Sequence, residues 1–171
     1  MAVDDSISRP DTAGQPNDVR QVRLDEVDHL ILTQLTRDAR TPNIALAQLA
    51  GIAPSTCLAR VRSLIDRGVI RGFHAEVDPA ALGRDLEAMI AVRLRADARH
   101  HMAEFADRMA TIPDVLDVYF VAGADDYLLH VAMRDTAALR DFVVEHLSAR
   151  PEVAATETIL IFEHIRTRGR R

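Results

Sequence analysis

A surface rich in guanidinium and hydroxyl groups is predicted on one helix in the front part of the chain. Between Pro54 and Asp66, a helical wheel separates an apolar arc from an opposite arc that has almost no carboxylate. The apolar arc, which is the predicted core face, consists of Cys57, Leu58, Val61, Leu64 and Ile65. Such an arc can donate hydrogen bonds to phosphates and base edges without repelling phosphate. The candidate DNA contacts in and around this helix are Thr41, Ser55, Thr56, Arg60, Arg62, Ser63, Arg67 and Arg71.

Two other interpretations of this surface remain open. Arg60 borders the apolar arc, so its guanidinium could hold helices together instead of contacting a base. The whole surface could also be an ordinary solvated helix face, since charged and hydroxyl side chains normally point outward. The local charge favours DNA contact, because residues 21–74 carry 7 Arg against 5 acidic residues.

The charge of the whole chain hides this local excess of Arg. The 171 residues include 21 Arg, no Lys and 26 acidic residues, which give a net charge of -5 and a pI near 5.8. Residues 75–165 carry 8 Arg against 17 acidic residues, whereas 166–171 carry 4 Arg and no acid. A basic front part and an acidic back part indicate two domains with different partners.

Few other residues could support catalysis or metal binding. His100 and Glu104 lie one helical turn apart, but no second ligand cluster accompanies them, so a solvated helix start is expected and no metal. Cys57 is the only cysteine, which excludes an internal disulfide, and its place on the apolar arc predicts a small buried residue. No Ser/His/Asp, Walker-type or dinucleotide-binding motif occurs in a usable context, so neither an enzyme nor a cofactor is expected.

Three helices must position the basic surface. The helical spacing of apolar residues predicts them from near Leu24 to Asp38–Arg40, over Asn43–Ala50 and over Pro54–Asp66. Asp25 is a suitable N-cap for the first helix, and Gly51 is a suitable C-cap for the second. Residues 69–77 are predicted as a strand or a short two-strand ribbon, which would complete a winged helix-turn-helix.

The back part of the chain follows a different pattern. Its apolar spacing predicts, in order, Leu86–Arg95, His100–Ile112, Val115–Ala122, Tyr127–Met133, Thr136–Ala149 and Val153–Ile165. The second and fifth of these are helices and the others are strands, which is the β-α-β-β-α-β order of a ferredoxin-like domain. The predicted fold class is therefore α+β, with a winged helix-turn-helix domain joined to a ferredoxin-like domain.

The predicted strands indicate self-association. The runs Val118–Ala122 and Ile159–Phe162 are apolar on both faces. Because two helices can cover only one face of a four-stranded sheet, the other face needs a cover from outside the chain. A second copy is the simplest cover, so a homodimer is expected, and beyond it a higher symmetric oligomer such as an octamer.

Several short motifs resemble those of the Lrp/AsnC, or feast/famine, family of transcription regulators. In the front part they are Leu24-Asp25-x-x-Asp28, Leu46-Ala47, Ser55, Arg60-Val61-Arg62-x-Leu64 and Gly68-Val69-Ile70-x-Gly72-Phe73. The tract VYFVAGADDYLLHV is similar to the effector-sensing (RAM) domain of that family. Together they cover about residues 23–165. There are two departures: Ala59 replaces a long polar residue, and Ala53 replaces the usual hydroxyl N-cap, which costs about 0.5–2 kcal/mol.

The resemblance implies a sequence-specific regulator that binds double-stranded DNA and a free amino acid, the latter at the interface between C-terminal domains. The effector residues that it implies are Gly123, Asp126 and Tyr127, followed by Tyr119, Val121, Ala122, Ala124, Asp125 and Thr136. A glycine turn can offer N–H groups to an α-carboxylate, and Asp126 can accept from an α-ammonium. Without the resemblance, an ordinary hairpin turn would be the favoured interpretation.

The expected organisation follows from these assignments. It comprises a flexible arm (1–22), a DNA-binding domain (23–75), a hinge (76–84), a sensing and oligomerisation domain (85–165) and a basic tail (166–171). No apolar run approaches the roughly 18 residues of a membrane span, and the N-terminus lacks the apolar segment of a secretory signal, so a cytoplasmic location is expected. The alternative function is an architectural DNA-binding protein that oligomerises without a ligand.

Overall fold

The computed structural model describes residues 23–165, apart from the side chain of Arg99, and divides into two compact units. The first unit ends at His74 and the second starts at Ala75. The predicted arm (1–22) and the predicted basic tail (166–171) lie outside the described residues.

The first unit contains three helices, α1 (Glu26–Arg37), α2 (Asn43–Ala50) and α3 (Pro54–Asp66). α1 begins with a reciprocal cap: Asp25 accepts a hydrogen bond from the Asp28 N–H at 2.8 Å, and the Asp28 side chain accepts from the Asp25 N–H at 3.4 Å. The cap satisfies N–H groups that a helix start leaves without partners. α2 ends at Gly51, whose φ of +65° is a left-handed conformation that favours glycine.

A small apolar core holds these helices together. Its nearly fully buried members come from all three helices and are Ile31, Leu46, Ala47, Cys57 and Leu64. A hydrogen bond also joins α2 to α3, because the Asn43 amide at the start of α2 donates to the Pro54 carbonyl at 2.8 Å.

Among the described residues, no single helix has the length and apolar composition of a membrane span. Only α2 and α3 taken together do, and a 98° bend separates them.

Two sequence predictions for this unit are wrong. Residues 69–77 form no strand, because the Val69 and Ile70 N–H groups donate to the Leu64 carbonyl and the residues that follow have no strand partner among those described. Alternating residues form a strand only where a neighbour accepts their backbone bonds. Leu58 and Ile65, predicted on the core face of α3, are 42% and 44% exposed, because they lie at the edge of an arc whose centre fills the core.

The second unit is a four-stranded antiparallel sheet with two helices packed on one face. Its elements are β1 (Leu86–Leu94), α4 (Met102–Ala110), β2 (Val115–Phe120), β3 (Tyr127–Met133), α5 (Thr136–Phe142) and β4 (Val153–Ile161). The strand order β2-β3-β1-β4 confirms the predicted β-α-β-β-α-β domain. Short 3₁₀ helices precede β1 and α4, and α5 continues as a π-helical turn to Ser148.

Several predicted boundaries in this unit are too long. The helix expected from His100 begins at Met102, because a 3₁₀ helix occupies residues 96–101. β2 stops at Phe120, which pairs with the first residue of β3. β4 stops at Ile161, where its pairing with β1 ends, and not at Ile165.

The two faces of the sheet differ in cover. The face towards α4 and α5 is buried, and its residues include Ile90, Val92, Leu129 and Val131. The other face carries the intervening residues of each strand. On it, Met89 of β1 lies between its pairing partners His130 of β3 and Ile159 of β4. We call it the open face. Ile159 and Tyr119 on this face are 52% and 46% exposed, and no element among the described residues of this unit covers them.

Replacing Gly51 tests the left-handed end of α2. An added Cβ would meet no atom within 4 Å, so the cost of Gly51→Ala is conformational and not steric. We expect Gly51→Ala to lower the free energy of unfolding by about 1–2 kcal/mol. Gly51→Asn should cost less, since Asn tolerates this conformation better. Urea unfolding checks both variants, and equal losses would contradict the explanation.

Candidate DNA-binding and effector sites

The outward surface of α3 is free of carboxylates until its last residue, Asp66. Ser55, Thr56, Arg62 and Ser63 are exposed, and Arg62 forms no ion pair within residues 23–165. Ala53 supplies no side-chain cap, so no protein group in the described region accepts from the Ser55 or Thr56 N–H. A helix start of this kind attracts phosphate.

Arg60 differs from the other predicted DNA contacts. Its Nη1 donates to Asp25 at 2.7 Å and to Asp28 at 2.8 Å, which ties α3 to the cap of α1. The Asp28 N–H and the Arg60 guanidinium lower the pKa of Asp25, and these ion pairs raise the pKa of Arg60. This geometry matches the structural alternative that the sequence left open for Arg60.

The remaining predicted DNA contacts are distributed around α3. Arg67 is exposed and donates from Nη2 to the Arg23 carbonyl at 3.0 Å. The Thr41 hydroxyl accepts from the Gln34 amide at 3.0 Å and donates to a carbonyl, so it already holds the connection between α1 and α2. Arg71 is exposed after α3. Arg40, which the sequence pattern did not single out, is exposed just before α2.

The turn between β2 and β3 offers backbone donors. Val121 donates to the Asp126 carbonyl at 3.0 Å and closes the turn. Within the described residues, the N–H groups of Gly123, Ala124 and Asp125 donate to no protein acceptor. Successive unpaired N–H groups in a turn are suited to an anion such as a carboxylate.

The Asp126 carboxylate is part of the sheet. Its Oδ2 accepts a hydrogen bond from the Leu94 N–H at 2.8 Å, beside the point where the β1–β4 register shifts. Its own N–H donates to the Val92 carbonyl at 3.0 Å. The sequence indicated only a role in binding an α-ammonium, because a hydrogen bond across 32 residues has no local signal.

The structure separates the other predicted effector residues. Tyr127 is 3% exposed on the helix-covered face, and its hydroxyl donates to the Met102 carbonyl at 2.7 Å. Burial, with a contribution from Asp126, raises its pKa. Tyr119 is on the open face, where burial and then Asp117 raise its pKa. Thr136 follows the far end of β3, roughly 20 Å away at about 3.3 Å per residue, so one chain cannot bring it to the turn.

The rest of the predicted turn residues lie together, with one basic residue that the sequence did not indicate. Val121, Ala122 and Ala124 are at least partly accessible, as is Asp125. Arg93 of β1 donates from Nε to the Ala124 carbonyl at 2.8 Å, and its Nη2 lies 3.4 Å from the Asp125 carboxylate. An outward-facing arginine on a strand gives no sequence signal for a contact with a turn 31 residues later.

The residues considered as metal ligands, and the single cysteine, either contact a neighbouring side chain or are buried in the protein. His101, next to His100, lies 3.0 Å from the Glu104 carboxylate. No group of three potential ligands able to hold a metal ion occurs in the described part of the chain. Cys57 is fully buried, and burial raises the pKa of its thiol.

Comparisons with known proteins match both units. A "Winged helix-turn-helix DNA-binding" model matches residues 24–71, and an "Lrp/AsnC ligand binding domain" model matches residues 87–170. The HTH-type transcriptional regulator AldR of Mycolicibacterium smegmatis is 54% identical over 97% of both chains.

Solved structures agree with these matches. The crystal structure of the Mycobacterium tuberculosis AldR is 53% identical, with a TM-score of 0.77 over 86% of this chain and 97% of the other. A transcriptional regulator from Neisseria meningitidis in complex with L-Met is 30% identical, with a TM-score of 0.76 over 85% of this chain and 94% of the other. As its motifs predicted, the chain belongs to the Lrp/AsnC family of helix-turn-helix transcription regulators.

Proposed function

We propose that this regulator binds double-stranded operator DNA through α3 and that a free amino acid, bound at the turn between β2 and β3, shifts its DNA affinity or its assembly. The exposed, donor-rich surface of α3 carries this proposal. A helix with such a surface fits the major groove, where Ser55, Thr56, Arg62 and Ser63 would meet bases and phosphates. Arg67, Arg71 and Thr41 are proposed phosphate contacts, and Arg60 is assigned to holding α3 against α1.

The effector assignment is supported by the unpaired N–H groups of residues 123–125 and by a related protein. The Neisseria meningitidis regulator was crystallised with L-Met, and its fold matches this chain. In the proposed site the turn binds the α-carboxylate, and Asp126 attracts the α-ammonium while it holds β1. Tyr127 supports the turn from inside the core, and Tyr119 and Thr136 would reach a ligand only from the open face or from another copy.

The open face supports association of the protein with itself. Met89, Leu128 and Ile159 would lose water contact if a second copy packed against them, which favours association. We propose a homodimer formed through this face, with dimers assembling further into a symmetric oligomer such as an octamer. The proposed location is the cytoplasm, and no catalytic step or cofactor is part of the proposal.

Removing the Arg62 side chain tests the DNA-binding surface. Arg62→Ala should weaken DNA binding about 10-fold, because it removes a guanidinium from the proposed interface. Its oligomer size and unfolding free energy should not change, since the side chain is exposed and has no ion-pair partner among the described residues. Fluorescence anisotropy with a duplex selected by the full chain from a random library measures the affinity.

Arg140→Ala is the matched control for that experiment. Arg140 is exposed on α5 and pairs with its neighbour Asp141 at 3.0 Å. The control should bind DNA like the unmodified protein. Unchanged binding by Arg62→Ala, or its collapse to a monomer, would show that Arg62 lies on a different functional surface.

A substitution at Asp126 separates its two roles. Asp126→Asn keeps an oxygen that can accept from the Leu94 N–H but removes the charge that would attract an α-ammonium. We expect at least about a 10-fold loss of amino-acid affinity, consistent with losing a charged hydrogen bond of about 1.5–3 kcal/mol, and no loss of DNA binding without ligand.

Calorimetry with the twenty common amino acids measures this effect, with Asp141→Asn as a control on the surface of α5. Equal ligand affinity for Asp126→Asn and the unmodified protein would remove Asp126 from the site. Silence of the unmodified protein across the panel at millimolar concentrations would favour the architectural alternative.

A charge on the open face tests the proposed dimer. Ile159→Arg should raise the dimer dissociation constant by at least about 100-fold, because an unpaired buried charge costs about 3–5 kcal/mol. Val144→Arg places the same charge on an exposed site of the π-helical turn that follows α5 and should leave the assembly intact. Sedimentation velocity checks both variants, and an unchanged Ile159→Arg assembly would place the interface elsewhere.

A further inference from the structure

The proposed effector turn contains two carboxylates next to the N–H groups that would bind a third. Asp125 and Asp126 directly follow Gly123 and Ala124, and the N–H groups of residues 123–125 have no protein acceptor in the described region. Negative charges within a few ångströms repel one another. The turn therefore suits an α-carboxylate only if the charge of its own acidic residues is offset.

Arg93 is placed to provide that offset. It lies on β1 where its backbone pairs with Ala155 of β4, and its side chain is 49% exposed. Its Nε donates to the Ala124 carbonyl at 2.8 Å, and its Nη2 lies 3.4 Å from Asp125 Oδ1. One guanidinium thus orients a peptide of the turn and pairs with the carboxylate that follows it.

The neighbours of Arg93 fix the same part of the turn. Residues 92–94 of β1 face residues 124–126, and Asp126 bonds to β1 through both its backbone N–H and its side chain, at 3.0 and 2.8 Å. By contrast, Ala122 and Gly123 are exposed and form no backbone hydrogen bond with another described residue. β1 therefore holds the second half of the turn and leaves the first half accessible.

We propose that Arg93 is the positioning residue of the effector turn. By holding the Ala124 carbonyl and offsetting the charge of Asp125, it allows the N–H groups of residues 123–125 to bind the α-carboxylate of an amino acid. This inference rests on the proposed effector function. Arg93 acts through Asp125 and the backbone, and not by contacting the amino acid.

A double-substitution experiment on the full chain tests this mechanism. Arg93→Met removes the charge and the donors but keeps most of the side-chain length, and it should raise the dissociation constant at least 10-fold. The probe is whichever of the twenty common L-amino acids the unmodified protein binds most tightly by calorimetry. Adding Asp125→Asn to Arg93→Met should restore at least half of the lost affinity, measured as the change in the logarithm of the dissociation constant.

Arg95→Met is the matched control, because Arg95 directly follows β1 and pairs only weakly with Asp97, at 3.9 Å. It should bind the same amino acid as tightly as the unmodified protein does. Unchanged affinity in Arg93→Met would overturn the inference. A loss that Asp125→Asn does not relieve would overturn the proposed offset of the Asp125 charge, because that substitution removes the charge that Arg93 is proposed to balance.

Hydrogen exchange separates this inference from the proposed function. Without any amino acid, the hydrogen-bonded amides of Val121 and Asp126 should exchange at least 5-fold faster in Arg93→Met than in Arg95→Met, because loss of the hold on Ala124 loosens the turn that these two bonds close. Equal exchange would overturn the positioning role whatever the titrations show. If the unmodified protein binds none of the twenty amino acids, the effector function fails, and the exchange result still decides whether Arg93 holds the turn.

Discussion

Two helices on one side of a four-stranded sheet leave its other side without cover. In this protein both sides carry apolar residues: Ile90 and Leu129 point into the buried core under α4 and α5, whereas Met89 and Ile159 lie on the open face. The proposed association of two copies follows from this constraint, because packing these faces together would remove their apolar area from water. It would also place two DNA-binding units in one particle, so that binding by the first raises the effective concentration of the second.

The proposed effector turn is connected to the strand that carries part of the open face. β1 lies between β3 and β4, and its last residues hold the turn through Arg93, Val92 and Leu94. A ligand at the turn would therefore act on a strand that also contributes to the proposed interface. This arrangement gives a short physical route from a bound amino acid to the assembly, and a ligand can shift assembly only by binding one state more tightly than another.

Local sequence signals predicted much of this fold. The bounds of α2 and α3, the Asp25 cap and the left-handed Gly51 all depend on neighbours in the sequence, and the structure has them as expected. The β-α-β-β-α-β order followed from a change of apolar periodicity. The strand predicted over residues 69–77 failed because pairing depends on a partner that periodicity does not supply.

The candidate sites were less predictable, because long-range contacts decide the role of each residue. Arg60 meets Asp25 across 35 residues, and Arg93 meets Ala124 across 31, so sequence spacing could not assign either contact. Tyr127 was expected at the ligand, although its alternation with Leu129 and Val131 already indicated the core-facing side of β3.

The most direct test of control by an effector is the response of DNA binding to amino acids. The dissociation constant of the full chain for its selected duplex can be measured with each of the twenty amino acids, and mass photometry of the same samples gives the size of the assembly. If a bound amino acid controls DNA binding or assembly, at least one amino acid should change the dissociation constant by about 5-fold or more, or change the assembly mass, as expected for a coupling of about 1–3 kcal/mol. No change in either quantity with any amino acid would contradict control by an effector.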